Sequence, residues 1–217
     1  MDSKPVIELR AVTKRYRTDH HRVALPTVSF SANAGELVWL TGPSGSGKST
    51  LLGIAALVTE PDSGEVWLGG VRRDTERRAG RILARQQLVG LMPQTSHLIP
   101  ELSAVQNLRL SSDPRRAARP TRLLRRVGIT HSAHGRVDDL RHGDQTRTSL
   151  ARALVGDPAI VLADEPSAGL DDTDAAAIFS VLRELADEGR CVVVASHDRR
   201  VEHYAHRSVA LAAAGSE

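Results

Sequence analysis

The chain has few aromatic residues, 3% of its 217 positions, so a core of any size must be filled by Leu, Val, Ile and Ala. It has one cysteine, Cys191, which excludes an internal disulfide. The apolar run Cys191–Ala195 makes that residue a buried thiol and points to a reducing compartment. No apolar stretch approaches the ~18–20 residues of a bilayer-spanning helix. The opening Met1–Pro5 also lacks the apolar centre of a secretory signal. These absences predict a cytoplasmic protein, or one held peripherally on a membrane. Neither sign of charge dominates: 29 Lys and Arg against 26 Asp and Glu leave a net charge of +3. So mild an excess does not by itself indicate nucleic-acid binding. The length suffices for one domain with a substantial core.

Glycine is concentrated where it matters chemically. The run Gly42, Pro43, Ser44, Gly45, Ser46, Gly47, Lys48, Ser49, Thr50 fits the phosphate-loop pattern G-x-x-x-x-G-K-[ST]. Gly35–Thr41 before it reads as a turn and buried strand, and Leu51–Leu57 after it as a helix. Such a loop wraps its N–H groups around an anion at the positive end of a helix dipole. Lys48 is then expected to reach the β/γ-phosphates, and the Ser49 hydroxyl to ligate Mg²⁺. The expected ligand is a nucleoside triphosphate.

Further strands are expected at Val6–Leu9, Pro26–Phe30 and Glu65–Gly70, and at Leu88–Met92, Ala159–Ala163 and Cys191–Ala195. The last two runs are continuously apolar, as strands buried on both faces should be. Ala175–Glu188 between them is an amphipathic helix. Alternation of strand and helix implies βαβ units and a parallel sheet. From about 100 to 150 the spacing turns helical and arginine-rich, like a segment inserted into the sheet. The polar strand exits (Gly42 onward, Gln94, Asp164-Glu165 and Ser196-His197) should converge at the carboxyl edge, where ligands of such sheets bind.

Asp164 and Glu165 close an apolar strand. Asp164 there can hold Mg²⁺, and Glu165 can polarise a water. With these residues the chain resembles the ATP-binding subunit of ABC transporters, from about Val6 to Leu211, and most closely the group of lipoprotein-release, macrolide-export and cell-division ATPases. The resemblance implies an α/β P-loop NTPase fold: a mainly parallel sheet, an N-terminal antiparallel β sub-domain and an inserted α-helical sub-domain. It implies one domain over 1–217, with a nucleotide-binding core at 1–94 and 155–217 and a helical part at about 95–154. By the same resemblance Tyr16 stacks on adenine, and Gln94 ligates Mg²⁺ and couples to the membrane partner. Asp164 belongs to the second nucleotide motif and holds Mg²⁺, Glu165 is the catalytic base, and His197 senses the γ-phosphate. Asp171, in Ser167–Asp171, contacts the other subunit. The partners implied are a second ATP-binding subunit, a copy of this one, and a separate integral membrane permease. The place implied is the inner face of the cell membrane.

One motif departs from the family. Its signature usually reads Leu-Ser-Gly-Gly-Gln, and here it reads Leu140-Arg141-His142-Gly143-Asp144, followed by a well-matched Gln145–Leu154. Gly143 keeps a backbone contact to the opposite ATP. Arg141 exchanges a hydroxyl for a guanidinium, itself able to bind phosphate. The bulk of Arg141 and His142 is expected to hold the dimer slightly open and slow hydrolysis. A regulator with weak hydrolysis is the alternative this motif suggests. A soluble ABC ATPase acting on nucleic acid or the ribosome usually carries two ATPase halves or a long coiled-coil insertion. Neither is present, so no nucleic-acid partner is expected. The arginines 115, 116, 119, 122, 125 and 126 read as a solvated face, or else as contacts to anionic headgroups. The pairs His20/His21 and His203/His206 have no further ligands to make a metal site.

Overall fold

Short apolar runs bounded by glycine, proline and acids become strands, and the periodic segments between them become helices. In chain order these are β1 (Ile7–Arg15), β2 (Val23–Ala32), β3 (Leu37–Thr41), α1 (Lys48–Ala55), β4 (Ser63–Leu68), β5 (Val71–Arg72), α2 (Arg78–Leu88) and β6 (Val89–Met92). There follow α3 (Ala104–Leu110), α4 (Pro120–Arg126), α5 (His142–Ala153), β7 (Ile160–Asp164), α6 (Asp172–Asp187), β8 (Cys191–Ala195) and β9 (Arg207–Ala210). The computed structural model describes residues 5–16, 23–111 and 120–212. Arg115, Arg116, Arg119, His20 and His21 lie outside them.

The strands form two sheets. One, ordered β2-β1-β4-β5, is antiparallel; the other, ordered β6-β7-β8-β3-β9, is parallel throughout. Pro26 is tolerated in β2 because that strand is an edge, paired to β1 alone. Gly69 and Gly70, at φ 59° and 76°, form the two-residue turn that sets Leu68 opposite Val71. Positive φ at both positions gives the backbone twist that such hairpins need.

The continuous apolar runs are explained by burial on both faces of the parallel sheet. Val38, Leu40, Ile160, Leu162, Cys191 and Val193 pack with α1 and the antiparallel sheet. Their alternating neighbours Leu37, Trp39, Val161, Val192 and Val194 pack with α6 and the helical segment. Cys191 is fully buried, and burial pushes its thiol up to about 12.

The helical segment does not build a core of its own. Val105, Leu108, Leu124 and Leu150 join Ile178, Phe179 and Leu182 of α6 in one cluster. Its one β-like feature among the described residues is an isolated bridge between Ser103 and Arg136. Ser103 and Gln106 form a capping box that starts α3. Arg126 pairs with Glu188 at 2.6 Å.

Candidate functional site at the carboxyl edge of the parallel sheet

Because every strand of this sheet runs the same way, the ends of β3, β6, β7 and β8 deliver their following residues to one edge. The loop Gly42–Gly47 leaves β3 and enters α1 with Gly42, Gly45 and Gly47 at φ 148°, 78° and 91°. A Cβ on Gly42 would stand 2.6 Å from the Leu211 carbonyl and 2.8 Å from the Ser46 hydroxyl, so the backbone passes where no side chain fits. Lys48 is buried and donates from Nζ to the carbonyls of Gly42 (2.8 Å) and Pro43 (3.0 Å), which points the ammonium into the loop. Pro43, Ser44 and Ser49 are exposed at its rim, with Thr50 partly buried beside them.

Asp164 ends β7 beside α1 and accepts a hydrogen bond from Ser49. Burial pushes its carboxyl above the ordinary aspartate value, against the Ser49 bond and the Lys48 charge. Its Oδ1 is buried with no hydrogen-bond partner. A buried orphan carboxylate oxygen beside a hydroxyl suits a hard divalent cation, so the donor set fits Mg²⁺.

Glu165 adopts φ 47°, a left-handed conformation costly for a residue with a side chain. Its N–H bonds to the Ala195 carbonyl. Its Oε2 accepts from the Ser196 hydroxyl and faces His197 Nδ1, both at 2.9 Å. The carboxylate is thereby fixed, while the His197 ring stays largely in solvent. Gln94 follows β6 and lines a cavity of about 270 Å³ together with Glu165, His142 and Gln145.

The signature turn and the loop after Glu165 meet on the same side. Arg141 occupies the N-cap of α5 without a capping bond, 76% exposed, 3.9 Å from Asp144. Serine is a good N-cap and arginine is not, so this helix starts without a side-chain capping bond. A Cβ on Gly143 would collide with the Asp174 carboxylate, which is held there by Arg147. His142 reaches across to the Ala168 carbonyl at 3.0 Å. Ser167 donates to Asp198 at 2.6 Å, and Asp171 caps α6 by accepting from Asp174 N–H. Burial alone would raise Asp198, but bonds from Arg200 and Ser167 outweigh it and hold the carboxyl at about 2.

Tyr16 is half-exposed just past β1, with Lys14 Nζ 5.8 Å from its ring centroid, and has no hydrogen bond to the groups above. His203 lies at the end of a short 3₁₀ turn and His206 bonds through Nδ1 to Leu37 N–H. No cluster of metal-ligating side chains occurs among the described residues.

The sequence model of the ABC transporter family matches residues 25–168. The chain belongs to this family. Its fold is that of an ABC cassette: the dimeric structure of MJ0796, a bacterial ABC transporter cassette, superposes with a TM-score of 0.88 at 32% identity, covering 97% of this chain and 96% of that one. A post-hydrolysis form of that cassette bound to ADP and Pi matches at 0.87 and 31%, covering 97% of each chain. Among curated relatives, the lipoprotein-releasing system ATP-binding protein LolD 2 of Rhodopirellula baltica is 36% identical over 95% of this chain and 88% of its own length. The macrolide export ATP-binding/permease protein MacB of Burkholderia cenocepacia is 38% identical over 96% of this chain, which spans 32% of that longer protein. No helix of this ABC domain, among the described residues, is long and apolar enough to cross a membrane.

Several members of the cassette's network went unread in the sequence: Ser196 as a partner of Glu165, Asp198 and Arg200 as anchors of Ser167, and the Arg147–Asp174 pair. The string Ser196-His197-Asp198 at a strand exit was the available signal for the first two.

Proposed function

We propose that this chain binds and hydrolyses Mg-ATP as one of two subunits that dimerise head to tail, and that it drives a separate integral membrane permease from the inner face of the membrane. The observation that carries this is the fixed Glu165 carboxylate, beside His197 and next to an Asp164 that accepts from Ser49 and keeps one buried carboxylate oxygen without a partner. Bound Mg²⁺ supplies positive charge that offsets what develops on the phosphates. The loop N–H groups and Lys48 cradle the phosphates, Ser49, Asp164 and Gln94 hold the metal, and Tyr16 stacks on the base. Glu165 orients and deprotonates the attacking water, and His197 holds the γ-phosphate. Gly143, Arg141 and Asp171 meet the ATP and subunit opposite. The relatives named for lipoprotein release and macrolide export favour export or force transmission.

Phosphate release by Glu165→Gln tests the assignment. The variant is expected to lose about 10²-fold or more of turnover and to accumulate an ATP-bound dimer of twice 23.4 kDa. Equal turnover in wild type and variant would overturn it. The uncapped, exposed Arg141 supports a second reading, a regulator with weak hydrolysis. On either reading, Arg141→Ser with His142→Gly should raise turnover several-fold. An unchanged rate removes the signature as the cause of slowness.

A further inference from the structure

His142 stands on the first turn of α5, in the helical segment, while Ala168 stands on the loop that follows β7 of the sheet. Their 3.0 Å bond joins the two parts in the wall of the cavity that both residues line with Gln94, Gln145 and Glu165. Gly169 lies beneath the ring: a Cβ there would sit 3.3 Å from Nε2, in a backbone already at φ 72°. The carbonyl is an acceptor, so Nε2 carries the proton and donates. Gln145 also ties the start of α5 to the carbonyls of Val137 and Leu140, but within the helical segment; the other ties are Arg147 to Asp174 and Arg152 to the carbonyls of Ser96 and His97, set further along the helix. Among the described residues, His142 makes the side-chain bond across the cleft nearest the signature turn. A glycine, which the ABC signature usually has here, makes none.

We infer that His142 is a positioning residue, a latch that fixes the signature turn to the inter-subunit loop of its own subunit and thereby slows the closing step. The role rests on the proposed dimeric ATPase. A hydrogen bond across a cleft stabilises the arrangement that contains it, and any movement of α5 relative to the loop must break or carry it. The latch therefore predicts slow turnover caused by a bond, whereas the bulk of the ring predicts it through steric exclusion.

Three variants separate these causes. His142→Phe keeps the ring and loses the donor, His142→Gln keeps a donor with a slimmer side chain, and His142→Ala loses both. The latch predicts phosphate release several-fold faster in the Phe and Ala variants, with Gln within about twofold of wild type. Amide exchange in the nucleotide-free subunit should quicken at residues 167–170 as well as 142–146 in the Phe and Ala variants, and stay slow in Gln. A Phe variant as slow as wild type, or unchanged exchange at 167–170, overturns the latch. Loss of turnover in Glu165→Gln together with either result leaves the ATPase reading intact. A wild type with no turnover at all is a failure of that reading, and the exchange experiment still decides the bond.

Discussion

At the residue scale, the site is built from pairs that the strand register dictates. Asp164 of β7 lies opposite Ala195 of β8. The same offset of 31 residues carried past the strand ends sets Glu165 beside Ser196 and Ser167 beside Asp198. Asp198 offers a pH test. Its folded value of about 2 lies below the ordinary carboxylate value of about 4, so its stabilisation is complete above that value and is lost as pH falls through about 2. Asp198→Asn should lower the Tm at pH 7 by about 2–4 °C, the shift for ~1 kcal/mol at this size. The gap to wild type should narrow between about pH 4 and 2. A gap independent of pH would mean that the charge is not what holds Ser167. For Asp164 the sign is opposite. Burial raises its folded value, so ionising it costs stability as pH rises through the window between the unfolded and the folded values. Asp164→Asn should therefore raise the nucleotide-free Tm at pH 7 while abolishing stabilisation by Mg-ATP. A lower nucleotide-free Tm would contradict this. The glycines, Lys48 and both acids were legible because their motif spacing is local. Ser196 and Asp198 were not, because their partners are supplied by a register that no short window contains.

At the element scale, contact between α5 and β6 depends on Gly90. A side chain there would meet the Ala153 carbonyl and the Pro158 ring. Gly90→Ala should push α5 off the sheet and cost about 1–3 kcal/mol by overpacking, read as a lower denaturation midpoint. No loss of stability would show that α5 adapts freely. The buried strands were readable from their apolar runs, since each packs on both faces. Two elements gave little signal. Helix α2 carries three arginines and buries only Ala84, leaving Ile82 and Leu83 exposed, so no buried face marks it. Strand β9 is a half-exposed edge, held by its register with β3 rather than by its own hydrophobicity. Strands β1 and β2 also run well beyond their apolar centres, because pairing with each other continues past them.

At the scale of the whole molecule, the sequence suggested a helical part distinct from the nucleotide-binding core, yet the two share one apolar cluster across α3, α4, α5 and α6. Periodicity reveals that a helix has an apolar face; it does not say which neighbour covers it. The same continuity gives the lone cysteine an unplanned use. Cys191 is sealed at the start of β8, a strand that lies between β7 and β3, and its thiol is pushed up to about 12, so at neutral pH almost no thiolate exists and none is reachable. A maleimide should then modify the native protein only when the parallel sheet opens, at a rate that reports the population of fully opened molecules. Excess Mg-ATP should slow that reaction by the factor by which it depletes the opened population, one plus the ratio of free ligand to Kd. Rapid labelling without denaturant would show instead that the sheet breathes locally. The chain thus carries an internal stopwatch for its own opening, and a single thiol added anywhere on its surface would take up a fluorophore without competition.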